Sequence, residues 1–205
     1  MNIAVLSRGE NLYSTKSLLK AGLARNHTME VLDPNLCTVA IENNQPVLYY
    51  TDERVDDLDA IIPRIGASNT YMGSSLVRHL ECMNVFSVVG AEAILQSRNK
   101  WTCFQILAQY GIATPKTFLG NTYDAELLLS LFGKAPLIIK ILQGTHGQGV
   151  ILAETQASAL STIETLKTAN VRFIVQEFIA ESKGCDLRAI VVDGKVVASM
   201  KRQSK

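Results

Sequence analysis

No apolar run in the chain approaches the roughly 20 residues that a membrane helix requires. Its start, Met1-Asn2-Ile3-Ala4-Val5-Leu6-Ser7, has no basic leader ahead of a long apolar stretch. A secretory signal is therefore not expected, and a cytoplasmic protein without membrane attachment is. An excess of one charge is missing too: 20 Lys and Arg stand against 19 Asp and Glu, a net charge of +1. That near-balance gives no electrostatic footprint for direct nucleic-acid or membrane-surface binding. The 4 cysteines, Cys37, Cys82, Cys103 and Cys185, form no Cys-x-x-Cys pair, and the 3 histidines, His27, His79 and His146, lie far apart. This excludes a local zinc motif and predicts reduced, mostly buried thiols.

What is present is ordinary globular material: 205 residues, 47% hydrophobic and 19% charged. Such a chain can bury a core in one or two domains without disulfides or a structural metal. In the first part, short apolar runs alternate with helical patterns. Ile3 to Leu6 reads as a strand. Ser14 to Arg25 reads as a helix capped by Ser14, with Leu18, Leu19 and Leu23 inside. Strands follow at Met29 to Leu32 and Asp59 to Ile62, with a hairpin between them at Ala40 to Glu42 and Val47 to Tyr50. A helix over Tyr71 to Cys82 leads to a strand at Val85 to Val88. This alternation predicts an open, largely parallel α/β sheet over residues 1–90.

From Ala91 the texture changes. A helical stretch runs to Tyr110 with a break near Ser97, and Asp124 to Leu131 is another helix. Pro136 to Leu142 and Val150 to Ala153 are strands joined by Gly144-Thr145-His146-Gly147-Gln148-Gly149. A helix over Ser158 to Thr168 and a strand over Arg172 to Ile179 follow, then two strands joined by Asp193-Gly194, a strong hairpin signal. Residues 91–205 are expected to be α+β.

Lys140 carries the first chemical signal. It lies in Pro136-Leu137-Ile138-Ile139-Lys140-Ile141-Leu142, among aliphatic residues. A lysine there must snorkel, lower its pKa or meet an anion. The glycine-rich turn that follows can bring backbone N–H groups close to an anionic ligand. It is no Walker A loop, because no Gly-Lys-Ser/Thr follows, and no dinucleotide fingerprint, because it leads into a strand. A strand–loop–strand cover over phosphates remains, as does an edge-strand lysine beside an ordinary hairpin turn. The strand end Gln176-Glu177-Phe178-Ile179 could pair its backbone with an adenine edge, or simply end in a solvated acid. Asp186 and Arg188 share a strand face and suit a ribose hydroxyl and a phosphate or carboxylate; a surface ion pair is the plainer reading. Arg202 could stabilise charge at a transferring phosphoryl or acyl phosphate, or be a solvated strand end.

Asn99-Lys100, Pro136 to Lys140, Gly144 to Gly149, Gln176 to Ile179 and Gly184 to Arg188 occur in the order and spacing of ATP-grasp ligases. Further segments narrow the resemblance. Ile3 to Arg8, Leu32-Asp33-Pro34, Ile61 to Gly66, Leu152 to Thr155 and Val175 to Ile179 are similar to the RimK family of α-L-glutamate ligases. That family is named for adding glutamates to the C-terminus of a small-subunit ribosomal protein. The resemblance spans essentially the whole chain.

It implies a pre-ATP-grasp domain over residues 1–90 and an incomplete ATP-grasp domain over 91–205. Lys100 and Lys140 would hold ATP phosphates under a loop containing Gly144, Gly147 and Gly149. Glu177, Phe178 and Ile179 would meet adenine and Asp186 the nucleotide sugar. Arg188 and Arg202 would contact substrate or acyl phosphate, and Ser7, Arg8, Pro63, Arg64 and Gly66 would face the active site. ATP, glutamate and a ribosomal-protein acceptor are the implied partners, in a homo-oligomer. Mg²⁺ is the implied metal, with Mn²⁺ as the alternative.

Relatives run past the position of Lys205, and the Asp, Glu and Asn that bind metal are expected there; none is assigned in this chain. A truncated or fragmentary chain would not ligate alone, and its uncovered second sheet would favour self-association. Asn99 stands where the family commonly has an acid. Other readings are a RimK-like ligase with a small-molecule acceptor, a non-catalytic nucleotide-binding or assembly module, and a plain doubly wound domain matched by accident.

Overall fold

A computed structural model describes residues 1–120, 124–142, 149–182 and 184–203. It divides into two compact units, Met1–Cys103 and Phe104–Lys205. No helix among the described residues is long and apolar enough to cross a membrane.

The first unit opens with β1 (Asn2–Leu6), α1 (Tyr13–Leu23) and β2 (Thr28–Leu32). A three-stranded excursion follows, of β3 (Cys37–Glu42), β4 (Gln45–Tyr50) and β5 (Glu53–Val55). Next come β6 (Ala60–Pro63), α2 (Thr70–Cys82), β7 (Phe86–Ser87), α3 (Ala91–Arg98) and α4 (Lys100–Gln109), the last crossing into the second unit. The main sheet has the order β2-β1-β6-β7 and is parallel throughout. Its central strand is apolar on both faces, with Ala4, Val5 and Leu6 fully buried, as a parallel strand covered on both sides requires. Ala4, Leu6 and Ile61 join Leu76, Val77 and Leu80 of α2 in one core.

The fold departs from the sequence reading in several places. Ser14 caps nothing: α1 begins at Tyr13, and its N-cap is Leu12, without a side-chain bond. The inner face of α1 is also turned. Thr15 is buried and its hydroxyl meets the buried Ser7 hydroxyl at 3.1 Å, which carries Leu18 and Leu19 to the interior flank and leaves Leu23 exposed. A polar pair, not the leucine pattern, sets that helix rotation. The excursion hairpin turns on Asn43 and Asn44 alone, both at positive φ, a two-residue turn that matches strand twist. No thiol is fully buried: Cys37, Cys103 and Cys185 are half-buried and Cys82 is exposed.

The second unit contains β8 (Thr117–Gly120), α5 (Ala125–Phe132), β9 (Leu137–Ile141), β10 (Val150–Ala153), α6 (Gln156–Thr168) and β11 (Phe173–Glu177). The last two strands are β12 (Cys185–Val192) and β13 (Lys195–Gln203). Asp124 caps α5 by accepting from Leu127 N–H, and Thr155 with Ser158 forms a capping box on α6. The four-stranded sheet has the order β10-β9-β11-β8 and is antiparallel. Phe173, Val175, Leu137, Ile139 and Ala153 pack with Leu128, Leu129, Ala159 and Ile163 of α5 and α6. Burying each of the larger side chains contributes about 1.5–3 kcal/mol. β8 was not legible beforehand, being four residues that end in glycine. That glycine is functional in packing: Gly120 lies opposite Phe173, and a Cβ there would come within 1.9 Å of the ring.

Among the described residues β12 and β13 pair only with each other, turning at Asp193 and Gly194, both at positive φ. Their apolar side chains are exposed; Leu187 is 81% accessible and Val196 65%.

Candidate functional site

Side chains alternate along a strand, so each strand of the four-stranded sheet gives one face to α5 and α6 and one to the other side. Lys140 lies on the other side. Its register partners are Val150 on β10 and Ile174 on β11. Beside it Val150, Leu152 and Leu119 remain substantially exposed, so this face presents an apolar floor around one ammonium group.

That ammonium is held. Lys140 Nζ donates to Gln176 Oε1 at 2.5 Å. Gln176 Nε2 donates to Thr117 Oγ1 at 2.8 Å, and Thr117 Oγ1 donates to the Pro115 carbonyl at 2.7 Å. Gln176 is only 4% exposed, and no buried side-chain polar atom among the described residues lacks a partner. Sequence reading missed Gln176 and Thr117 as neighbours of the lysine. The period-two pattern shows which residues of one strand share a face, but it does not show which strand lies alongside.

At the end of β11, Glu177 turns the opposite way. Its N–H donates to the Lys116 carbonyl at 3.0 Å. In an antiparallel ladder that pair would exchange a second bond, from Lys116 N–H back to the Glu177 carbonyl. Here the Glu177 carboxylate takes it instead, at 2.7 Å. The acid is therefore occupied by backbone, and its own carbonyl is not the acceptor at that position. The Ile179 carbonyl accepts from Ser182 N–H at 3.2 Å. Phe178 is half-buried and Ile179 is 38% exposed just beyond the strand.

Gly149 re-enters β10 at φ +76, and a Cβ there would collide with the Ile141 side chain at 2.3 Å. Both facts call for glycine. Gly144 and Gly147 lie outside the described residues. Lys100 opens α4, with Asn99 as its cap: Asn99 Oδ1 accepts from the N–H groups of Trp101 at 3.0 Å and Thr102 at 3.3 Å. Asn99 thus has a structural role that asparagine fills as well as an acid does. Lys100 falls in the first unit and Lys140 in the second.

On the hairpin, Asp186 and Arg202 are direct register partners, and Arg188 lies opposite Met200 on the same face. Arg202 Nε reaches both Asp186 oxygens at 2.9 and 3.0 Å, and Nη2 bonds Oδ2 as well. This hydrogen bonding holds the Asp186 carboxyl below its ordinary range. Desolvation opposes it, and the charges of Arg202 and then Arg188 add to the lowering. The two residues assigned above to separate tasks are here one ion pair. No cluster of three or more His, Cys, Asp or Glu side chains suits a metal ion among the described residues.

Residues 1–94 match the RimK PreATP-grasp domain family and residues 97–205 the RimK-like ATP-grasp domain family. A probable alpha-L-glutamate ligase of Syntrophotalea carbinolica is 47% identical over 204 residues, covering 99% of this chain and 68% of that protein. A protein of the same name from Maridesulfovibrio salexigens is 47% identical over 206 residues, covering 100% and 68%. Among solved structures, a RimK domain protein ATP-grasp from Sphaerobacter thermophilus superposes with a TM-score of 0.74 at 20% identity, covering 99% of this chain and 73% of the other. D-alanyl-alanine synthetase A from Vibrio cholerae superposes at 0.60 with 16% identity, covering 98% and 66%. At those identities the structural matches establish the fold alone.

Proposed function

This chain belongs to the RimK family of ATP-grasp ligases, which join a carboxylate to an amine using ATP and a divalent metal ion, and from that premise we propose a specific reaction. Within an enzyme of the relatives' full length, the chain serves to add glutamate to the C-terminus of a small-subunit ribosomal protein in the cytoplasm, as part of a homo-oligomer; the 205 residues alone are not expected to ligate. The acceptor carboxylate attacks the γ-phosphorus of ATP and ADP departs, leaving an acyl phosphate. The glutamate amine then attacks the acyl carbon and phosphate leaves. The metal, Mg²⁺ with Mn²⁺ as the alternative, would supply charge neutralisation at the phosphates. The described residues offer it no cluster, so no step is drawn through it.

One observation supports the nucleotide reading most: Lys140 on the open apolar face, pre-aimed by a neutral partner. An ammonium so placed can meet phosphate oxygens while the base lies on aliphatic side chains. The adenine edge is assigned to the Glu177 carbonyl and the Ile179 N–H, because the Glu177 N–H and the Ile179 carbonyl are already engaged. Asp186, Arg188 and Arg202 stay candidates for the sugar and the acyl phosphate, with the Asp186–Arg202 pair opening to admit them. Lys100 and the loop glycines Gly144, Gly147 and Gly149 complete the proposed phosphate contacts.

Calorimetric titration with ATP and Mg²⁺ tests the nucleotide site. Heat with a single-site isotherm supports it, and no heat at millimolar ATP from either this chain or a version extended to the relatives' length rejects it. Labelled glutamate offered with a peptide acceptor, and separately with small amine-accepting carboxylic acids, tests the substrate. Label in the small acids alone would replace the ribosomal acceptor with a small-molecule one.

A further inference from the structure

We propose that Gln176 is a positioning residue of the nucleotide site, which aims the Lys140 ammonium through a neutral amide. This rests on Lys140 as a phosphate ligand.

The direction of every bond in the chain is fixed by chemistry. Lysine only donates, so the amide oxygen of Gln176 must face Nζ. That turns the amide NH₂ toward Thr117 Oγ1, which accepts it, and the threonine proton goes on to the Pro115 carbonyl. Rotating the amide by half a turn would set NH₂ against ammonium, donor against donor. The network therefore has one arrangement, and the burial of Gln176 at 4% exposure limits the access of water to its amide. Lysine has a flexible four-carbon stem. Fixing its head before the ligand arrives removes part of the ordering that binding would otherwise require.

The partner's neutrality is the second half of the argument. A carboxylate at this distance would form an ion pair that incoming phosphate oxygens must displace. An amide holds the same geometry and brings no negative charge of its own. The strand supplies an acid one residue later, Glu177, and its alternation sends that acid to the Lys116 N–H instead. The order Gln then Glu gives the lysine this strand's amide and not its acid.

The test is calorimetry on the full chain and on Gln176→Leu, Gln176→Glu and Thr117→Val, with ATP and with adenosine, beside thermal melts. The expected result for Gln176→Leu is a fall in ATP affinity of roughly tenfold with adenosine affinity unchanged, and a smaller fall of the same kind for Thr117→Val. Gln176→Glu should weaken ATP further, and that loss should recover as pH falls and the new carboxyl is protonated. A purely structural side chain would show no such recovery. Unchanged ATP affinity in Gln176→Leu overturns the proposal, as does a parallel loss of ATP and adenosine. If neither the unsubstituted chain nor a version extended to the relatives' length binds ATP, the Lys140 reading falls and takes this proposal with it. If either binds ATP and the Gln176 variants bind it equally well, only this proposal falls.

Discussion

Asp186 and Arg202 face each other across the terminal hairpin, and each is the other's principal charged partner. The sign of their coupling gives a first prediction. The folded Asp186 carboxyl is held below its ordinary value of 3.8. The pair's contribution to hairpin order is therefore present above that value and is lost as pH falls through the lowered one. NMR titration of the Asp186 carboxyl should give a midpoint below the ordinary range, and Arg202→Ala should return most of the shift. An unshifted midpoint in the unsubstituted chain would mean the pair does not form in solution.

Lys140→Ala should cut ATP affinity by at least tenfold, the order expected when a charge-assisted bond to phosphate is lost. The melting temperature should fall modestly, since the buried Gln176 Oε1 loses its donor, so affinity is compared at a temperature where both proteins are folded. Equal ATP affinity in the two proteins would remove the phosphate role.

Gly120→Ala should destabilise the second unit by about 1–3 kcal/mol, because an added methyl has to displace the Phe173 ring. Phe173→Leu alone should also destabilise, through lost packing. The double substitution should cost less than the sum, since the smaller side chain vacates the space the methyl needs. Denaturant unfolding of all four proteins measures this, and strict additivity would refute the contact.

Burial pushes the Cys37 thiol from its ordinary 9.0 to about 11, with the Asp33 carboxylate adding to the effect. Exposed Cys82 should therefore react first with iodoacetamide at pH 8, and Cys37 should lag behind it. Because the folded value is raised, the stability linked to Cys37 is complete below 9.0 and is lost as pH rises toward 11. Cys37→Ser should flatten that alkaline decline; an unaltered decline would assign it to other groups.

The hairpin of β12 and β13 exposes Leu187, Val191, Val192, Val196 and Val197. Sedimentation velocity should show association that grows with concentration, reduced by Val191→Thr with Val196→Lys. A monomer at every concentration would show that the exposed hairpin does not drive association.

The sequence revealed the strand order of events well wherever a local period or a turn residue carried it. The parallel first sheet, the antiparallel second one and the Asp193-Gly194 hairpin were all readable. What escaped reading depended on partners distant in sequence. Thr15 turns α1 because Ser7 waits for it, and Gln176 holds Lys140 because β9 and β11 are neighbours. β5 and β8 were missed because three or four residues carry too little pattern. At the candidate site, Lys140 stood out as a charge among aliphatic residues, while the occupation of Glu177 by Lys116 N–H could be seen only in space.

The gap at Gly120 also acts as an index mark during assembly of the sheet. Thr117, Phe118 and Leu119 all carry side chains, so sliding β8 along β11 would drive one of them into the volume of the Phe173 ring. The observed alignment is the one that places the glycine opposite the ring and leaves the ring undisplaced. The same alignment brings Thr117 beside Gln176. A glycine with no chemistry of its own thus fixes the frame in which the lysine network can be made.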